Sequence, residues 1–321
     1  MMRMSGMDPE GRDAIAVPGA RILADGLRFP EGPVVLPDGR IALVEIEAGR
    51  ITAIGPDGSK TVLASPGGGP NGLALGPDGM LYVCNNGGFE WIEAEGTLRP
   101  HGAPPGYAGG WVERIDPSTG RSTRLYDACN GRRLRGPNDL VLDGQGGFWF
   151  TDYGKVRAHD RDHGTVYWAA LDGSRILEAA HPFPGGANGL GLSPDGRRLY
   201  VAETETGRLW AFDILGPGEL RKDPWPSPHG GTLLCQFPGF RRLDSLAVTQ
   251  AGNICVATLV SGEITTVSPE GRIIDVVRCG ERMPTNICFG GEGRRTAYVT
   301  LSHTGKLLEM PWEEPGLALV A

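Results

Sequence analysis

Six residues stand out for the chemistry their types and spacing allow: Glu31, Asn71, Asn138, Asn188, Asp244 and Asn286. Each opens a short apolar segment that runs into a turn: EGPVVLPDG, NGLALGPDG, NDLVLDGQG, NGLGLSPDG, DSLAVTQAG and NICFGGEG. Their side chains offer oxygen ligands only, two of them carboxylates. Carboxylates with amide carbonyls suit one hard divalent cation, Ca²⁺ first, with Mg²⁺, Mn²⁺ or Zn²⁺ as alternatives. Two carboxylates balance a dication, and without one they would repel each other near a common axis. Asn-Gly is also an ordinary turn signal. That reading covers Asn71 and Asn188 but not Glu31 and Asp244 in the same register.

The elements that must position these residues follow from the repeat. The openers are separated by 40, 67, 50, 56 and 42 residues, and each interval holds about four short apolar strands. A four-stranded unit at that period is the signature of a propeller blade. The chain therefore reads as all-β, a six-bladed β-propeller with four antiparallel strands per blade. Residues 1–18 read as an N-terminal arm and 19–321 as a single propeller domain. The sixth unit lacks a fourth strand, and Arg21–Leu27 (RILADGL) lacks a unit. Pairing that strand with Lys306–Met310 closes the ring and removes two open sheet edges. The openers should then each precede an innermost strand and ring one mouth of the channel. The connections Asn85–Gly110 and Tyr153–Gly164 should lie over the same mouth as binding loops or lids.

Composition narrows the function classes. Gly 51 and Pro 26 together make about a quarter of the chain, but they sit at regular turn positions between apolar strands, which favours a turn-rich β-protein over disorder. Net charge is −7, and no Lys/Arg cluster could track a phosphate backbone, which excludes nucleic acid as the expected partner. No apolar run approaches a membrane span. The segment MMRMSGMDPEGRDAIAVPG has no apolar leader core, so a cytoplasmic protein acting on a small molecule is expected. The six cysteines show no close pairing and read as free thiols. Nothing marks an oligomer interface.

Several motifs carry a family resemblance. FPEGPV at 29–34, RGPNDLV at 135–141, ANGLGLSPDGRRLYVAET at 187–204, RLDSLAV at 242–248 and PTNICFGGEGRRTAYVT at 284–300 resemble the senescence-marker-protein/gluconolactonase family, which includes diisopropyl fluorophosphatase-like enzymes. The likeness covers about residues 20–312. It implies a six-bladed propeller with a divalent metal at the channel mouth. It also implies a metal-dependent hydrolase, usually a lactonase, or a phosphotriesterase-like enzyme in some relatives. By the same resemblance Glu31, Asn188 and Asp244 match metal ligands, and Asn138 matches a residue that binds substrate and, in some members, the metal. Sugar-lactonase members often carry Arg two residues before that Asn; here Gly136 stands there and Arg135 one further back.

Asp244 is the expected catalytic residue, as general base or as nucleophile, and the two routes stay open. Asn71, Asn138, Asn286, His303 and Asp152 are the expected substrate-binding residues. His303 and Asp152 enter because their positions fall at the mouth end of the strands; Asp152 reads equally as a supporting residue or as a turn residue. Asp139 should point away from Asn138. Gly67-x-Gly69-x-x-Gly72 imitates a dinucleotide fingerprint, but Pro70 interrupts it and a strand follows it. There is no GxSxG elbow, and the six histidines show no metal-binding spacing. A non-catalytic, metal-binding regulatory propeller is the alternative from a different class, because the fold hosts many functions.

Overall fold

The computed structural model describes residue 15 and residues 17–319. Apart from one three-residue 3-10 turn at Glu292–Arg294, its regular elements are strands. Six antiparallel sheets form the blades of a six-bladed propeller, and two two-stranded hairpins, Trp91–Ala94 with Thr97–Pro100 and Ala128–Cys129 with Arg132–Arg133, stand outside them. The innermost strands are Pro30–Val35, Pro70–Leu75, Pro137–Leu142, Ala187–Leu192, Arg242–Val248 and Pro284–Gly290. Blade six is completed by Arg21–Ala24, which pairs antiparallel with Lys306–Pro311 in the register Arg21↔Glu309 and Ile22↔Leu308. Arg21 also forms an ion pair with Glu309 at 2.9 Å. Ile15 and Val17, at the end of the expected arm, pack against the apolar cluster of blades five and six; residues 1–14 and 16 of that arm lie outside the described residues.

Alternation of apolar residues drives the blade-on-blade packing. Between blades one and two, Ala42, Val44 and Ile51 meet Leu73, Leu81, Val83 and Ile115, all buried. Each fully buried Val, Leu or Ile contributes roughly 1.5–3 kcal/mol. All six cysteines are buried and free.

The openers lie inside the innermost strands rather than before them. Each sits at an irregularity in the pairing with the second strand: Glu31/Val34, Pro70/Leu73, Pro137/Leu140, Ala187/Leu190, Leu243/Leu246 and Pro284/Asn286 bracket the shifts. A bulge at that point releases the opener from the pleat and re-aims its side chain. The Asn-Gly pairs have a second physical reason besides turns. A Cβ on Gly72 would come within 2.5 Å of the Asn138 carbonyl oxygen, and one on Gly189 within 2.6 Å of that of Asp244. Glycine after the opener lets the next blade's opener strand approach, which tightens the ring.

The Asn85–Gly110 connection is more ordered than a plain loop. It carries a hairpin, Trp91–Ala94 with Thr97–Pro100. The hairpin reaches over blade one: Trp91 lies 5.0 Å from Phe29 and Arg28 pairs with Glu93 at 2.9 Å. It then meets blade six, where the Leu98 N–H donates to the His303 carbonyl at 2.9 Å.

Candidate active site at the channel mouth

In blades one to four the second strand ends in an acceptor that fixes the approach to the opener. In blade one, Glu45 accepts from the Arg28 N–H at 2.9 Å, three residues before Glu31. In blade two, Asn85 Oδ1 accepts from Gly69 N–H at 2.8 Å, two residues before Asn71. In blade three, Asp152 accepts from Arg135 N–H at 2.7 Å, Gly136 N–H at 2.7 Å and Gly154 N–H at 2.8 Å, just before Asn138 and just after itself. In blade four, Glu203 accepts from Gly185 N–H at 2.8 Å, three residues before Asn188. Charge-assisted bonds to backbone N–H groups are short and strong, so three buried carboxylates, Glu45, Asp152 and Glu203, with the neutral Asn85 amide in blade two, hold these four approaches from behind.

A cavity of about 460 Å³ opens on the mouth side of the ring, lined by Glu31, Asn71, Asn138, Asn188 and Asp244. These are four expected cation ligands and one expected substrate contact, brought together from five blades. Glu31 is 3% exposed, and its Oε2 accepts from Gly32 N–H at 2.8 Å and from the Asn286 amide at 2.9 Å. Burial pushes its pKa up. Asp244 keeps part of its surface open to the cavity. Burial, and then the charge of Glu31, push its carboxyl well above the usual carboxylate range. The Asn188 amide donates to Thr204 Oγ1 at 3.1 Å, while its Oδ1 is buried without a partner. A buried acceptor without a donor is costly. Two mutually repelling carboxylates and an orphaned amide oxygen in one cavity fit a hard divalent cation. Among the described residues no group of three His, Cys, Asp or Glu converges on a metal site, at the mouth or elsewhere, so a cation here would rest on two carboxylates and amide oxygens.

Three expected substrate contacts lie elsewhere. Asn286 faces the other side of the ring, into a second cavity of about 400 Å³ that runs toward the hairpin end of the channel. Its amide supports Glu31 instead. Asp152 is spent on its three backbone N–H groups. His303 is half-buried beside the inserted hairpin and does not line the mouth cavity; burial, then Arg99, lower its pKa. Asp139 does turn away from Asn138, into the second cavity, where burial and then Glu31 raise its pKa to about 7.

Other wall residues escaped the sequence reading. Arg242 donates its Nε to Glu205 at 3.0 Å, and the Tyr153 hydroxyl donates to the same carboxylate at 2.9 Å. Arg242 is two residues before Asp244 and so shares its face of the strand, a signal available in RLDSLAV. Phe29, two residues before Glu31, has a left-handed φ of 57°, uncommon for a bulky residue and of the kind that clusters at functional sites.

Comparisons with known proteins agree with this architecture. A family model described as the SMP-30/Gluconolactonase/LRE-like region matches residues 29–303. A gluconolactonase from Zymomonas mobilis is 26% identical over 88% of this chain and 78% of its own length. A diisopropyl-fluorophosphatase from Loligo vulgaris is 28% identical over 89% of this chain and 90% of its own. A solved structure described as a putative gluconolactonase superposes with a TM-score of 0.70 at 25% identity, covering 93% of each chain.

Proposed function

We propose, from the premise that the chain belongs to the SMP-30/gluconolactonase/LRE-like family of hydrolases, that it is a divalent-cation-dependent lactonase acting in the mouth cavity. The observation that carries this is that two carboxylates, Glu31 and Asp244, line one cavity with the unpartnered Asn188 Oδ1. Glu31, Asn188 and Asp244 would hold the cation, Ca²⁺ by preference, with Asn138 contributing directly or through water. When bound, such a cation neutralises the carboxylates and polarises a substrate carbonyl as a Lewis acid.

The chain's own residues supply the rest. Glu31 is oriented by the Asn286 amide and the Gly32 N–H, so its carboxylate cannot swing away. Asp244 is the reacting group. As general base it takes a proton from the attacking water, whose oxygen bonds to the carbonyl carbon while the ring C–O bond breaks and the departing alkoxide takes up the proton. As nucleophile its Oδ bonds to the carbonyl carbon, and the ring C–O bond breaks to an alkoxide that is protonated by water; water then cleaves the resulting anhydride to free the hydroxy acid and Asp244. Asn71 and Asn138 present amides toward the ring of a bound lactone. Arg242, neutralised by Glu205, stands at the wall rather than in an ion pair with Asp244.

A panel of lactones, aryl esters and phosphotriesters, assayed with Ca²⁺, Mn²⁺, Mg²⁺ and Zn²⁺, tests the reading. Cation-dependent opening of lactones is expected to exceed the other activities. Preferential phosphotriester turnover would move the assignment to that chemistry, and no turnover with a bound cation would favour a binding protein. Turnover in ¹⁸O-water separates the two routes, because label entering Asp244 requires the nucleophilic one.

A further inference from the structure

Beyond the oxygen ring, the mouth cavity is walled by apolar side chains. Phe29, Ile46, Phe89, Val156, Leu259 and Met283 all line it. Phe89 and Met283 are only half-buried, and Val156 is 43% exposed, so these groups face the cavity rather than a filled core. The polar wall groups are largely spent on one another. Glu205 is taken by Arg242 and Tyr153, and Thr204 by the Asn188 amide. Thr285 is taken by Thr300 at 2.9 Å and by Ser302. Arg99 and His101 remain, both exposed on the inserted hairpin segment at the rim.

A polyhydroxylated lactone would bury several hydroxyls here, and beyond the ring amides of Asn71 and Asn138 only the rim groups Arg99 and His101 are left to partner them. We infer that the substrate is a lactone bearing an apolar alkyl or aryl arm, that the arm lies against Phe29, Phe89 and Met283, and that Lys155 is the positioning residue that holds this wall in place. The inference rests on the lactonase reading of the same cavity.

Lys155 comes from the neighbouring Tyr153–His163 connection and is 1% exposed. Its Nζ donates to the Gly88 carbonyl at 2.6 Å and to Asn86 Oδ1 at 3.4 Å, and sits 3.9 Å from the centre of the Phe89 ring. Tyr107 approaches from the other side, its ring centre 5.0 Å away. The buried amino group, whose pKa burial lowers to about 7, thus finds its partners in the oxygens and ring faces of the 86–110 insertion. That arrangement ties the insertion to blade three and fixes the ring of Phe89 at the cavity wall. The other side of Phe89 is held edge-on by Trp91 at 5.8 Å, which in turn meets Phe29.

The test uses the full chain loaded with cation and three six-membered lactones: unsubstituted, alkyl-substituted and polyhydroxylated. The alkyl lactone is expected to exceed the polyhydroxylated one by roughly tenfold or more in kcat/KM, the scale on which apolar pockets discriminate. Phe89→Ala should lower kcat/KM for the alkyl lactone roughly tenfold more than for the unsubstituted one, and Phe89→Leu should restore most of it. Lys155→Met should raise KM for the alkyl lactone more than it lowers kcat. Met283→Ala provides a second wall variant if Phe89→Ala does not fold. A parent that prefers the polyhydroxylated lactone, or wall variants that lower all three equally, overturns the inference. Calorimetry with the matching alkyl and polyhydroxylated lactams reads the wall without turnover. If no lactone is opened, the hydrolase reading falls, and lactam preference alone decides the wall: equal binding of both lactams overturns it.

Discussion

Asp152 and Asp143 form a matched pair at the two ends of blade three, and replacing each by Asn separates site support from general stability. Asp152 takes three backbone N–H groups at the mouth, as described above. Asp143 takes Gln145 N–H at 2.7 Å, Gly147 N–H at 2.9 Å and the Trp168 indole at 2.8 Å at the hairpin end. In Asp152→Asn the amide oxygen can keep Gly136 and Gly154, which share Oδ1, while the new NH₂ faces the Arg135 N–H. One charge-assisted bond is lost and one buried donor left unpaired, about 3 kcal/mol. At about 2.1 cal/mol/K per residue over some 300 residues, that is a fall in melting temperature of roughly 5 °C. Asp143→Asn should cost a similar or smaller amount. Only Asp152→Asn should also weaken cation binding and kcat/KM, because Gly136 leads directly into Asn138. Differential scanning calorimetry and lactone kinetics on both variants measure this. Equal losses of kcat/KM in both, or an unchanged kcat/KM in Asp152→Asn, would refute the idea that second-strand acceptors set the ring.

Other perturbations follow from the same geometry. Removing residues 1–28 takes away the closing strand with buried Leu23 and Leu27, at roughly 2–5 kcal/mol for each side chain, and uncovers the edge of Lys306–Pro311. The truncated chain should melt far below the parent, and an unchanged melting curve would remove the closure from the account. Glu281 has Oε1 buried without a partner, and burial raises its pKa to about 7. The folded chain therefore binds more protons than the unfolded one between about pH 4.5 and 7, so this group's contribution to stability falls as pH rises through that window. Glu281→Gln should be more stable than the parent by about 1–2 kcal/mol at pH 8 and near-equal at pH 4, as read by urea melts. A constant difference across pH would show that Glu281 titrates normally.

The ring itself was legible from the chain because its signal is local. An opener, an apolar strand and a Gly-bearing turn recur six times, and the orphan strand at Arg21 matched the missing strand after Lys306. What escaped depends on partners from blades distant in sequence. Asn286 looks like its fellow openers, yet 255 positions from Glu31 it becomes that residue's hydrogen-bond donor. Asp152 sits at the mouth end of its strand, but three backbone N–H groups converge on it and turn it from a wall residue into a support. Lys155 reads as an ordinary loop lysine until the insertion from blade two closes over it. His303 meets that insertion through its backbone carbonyl, which no side-chain motif could signal.

The proposed chemistry at the mouth depends on a single divalent cation held by Glu31, Asn188 and Asp244 with help from Asn138. Isothermal titration with Ca²⁺, alongside elemental analysis, tests it directly on chelator-treated parent, Asp244→Asn and Asn188→Ala. Asp244→Asn removes one of two charges, and Asn188→Ala removes the unpartnered oxygen while leaving both carboxylates. The account predicts one site per chain in the parent and clearly weaker binding in both variants, with lactone turnover abolished in Asp244→Asn. A parent that takes up no cation, or two variants that bind it as tightly as the parent, would contradict it.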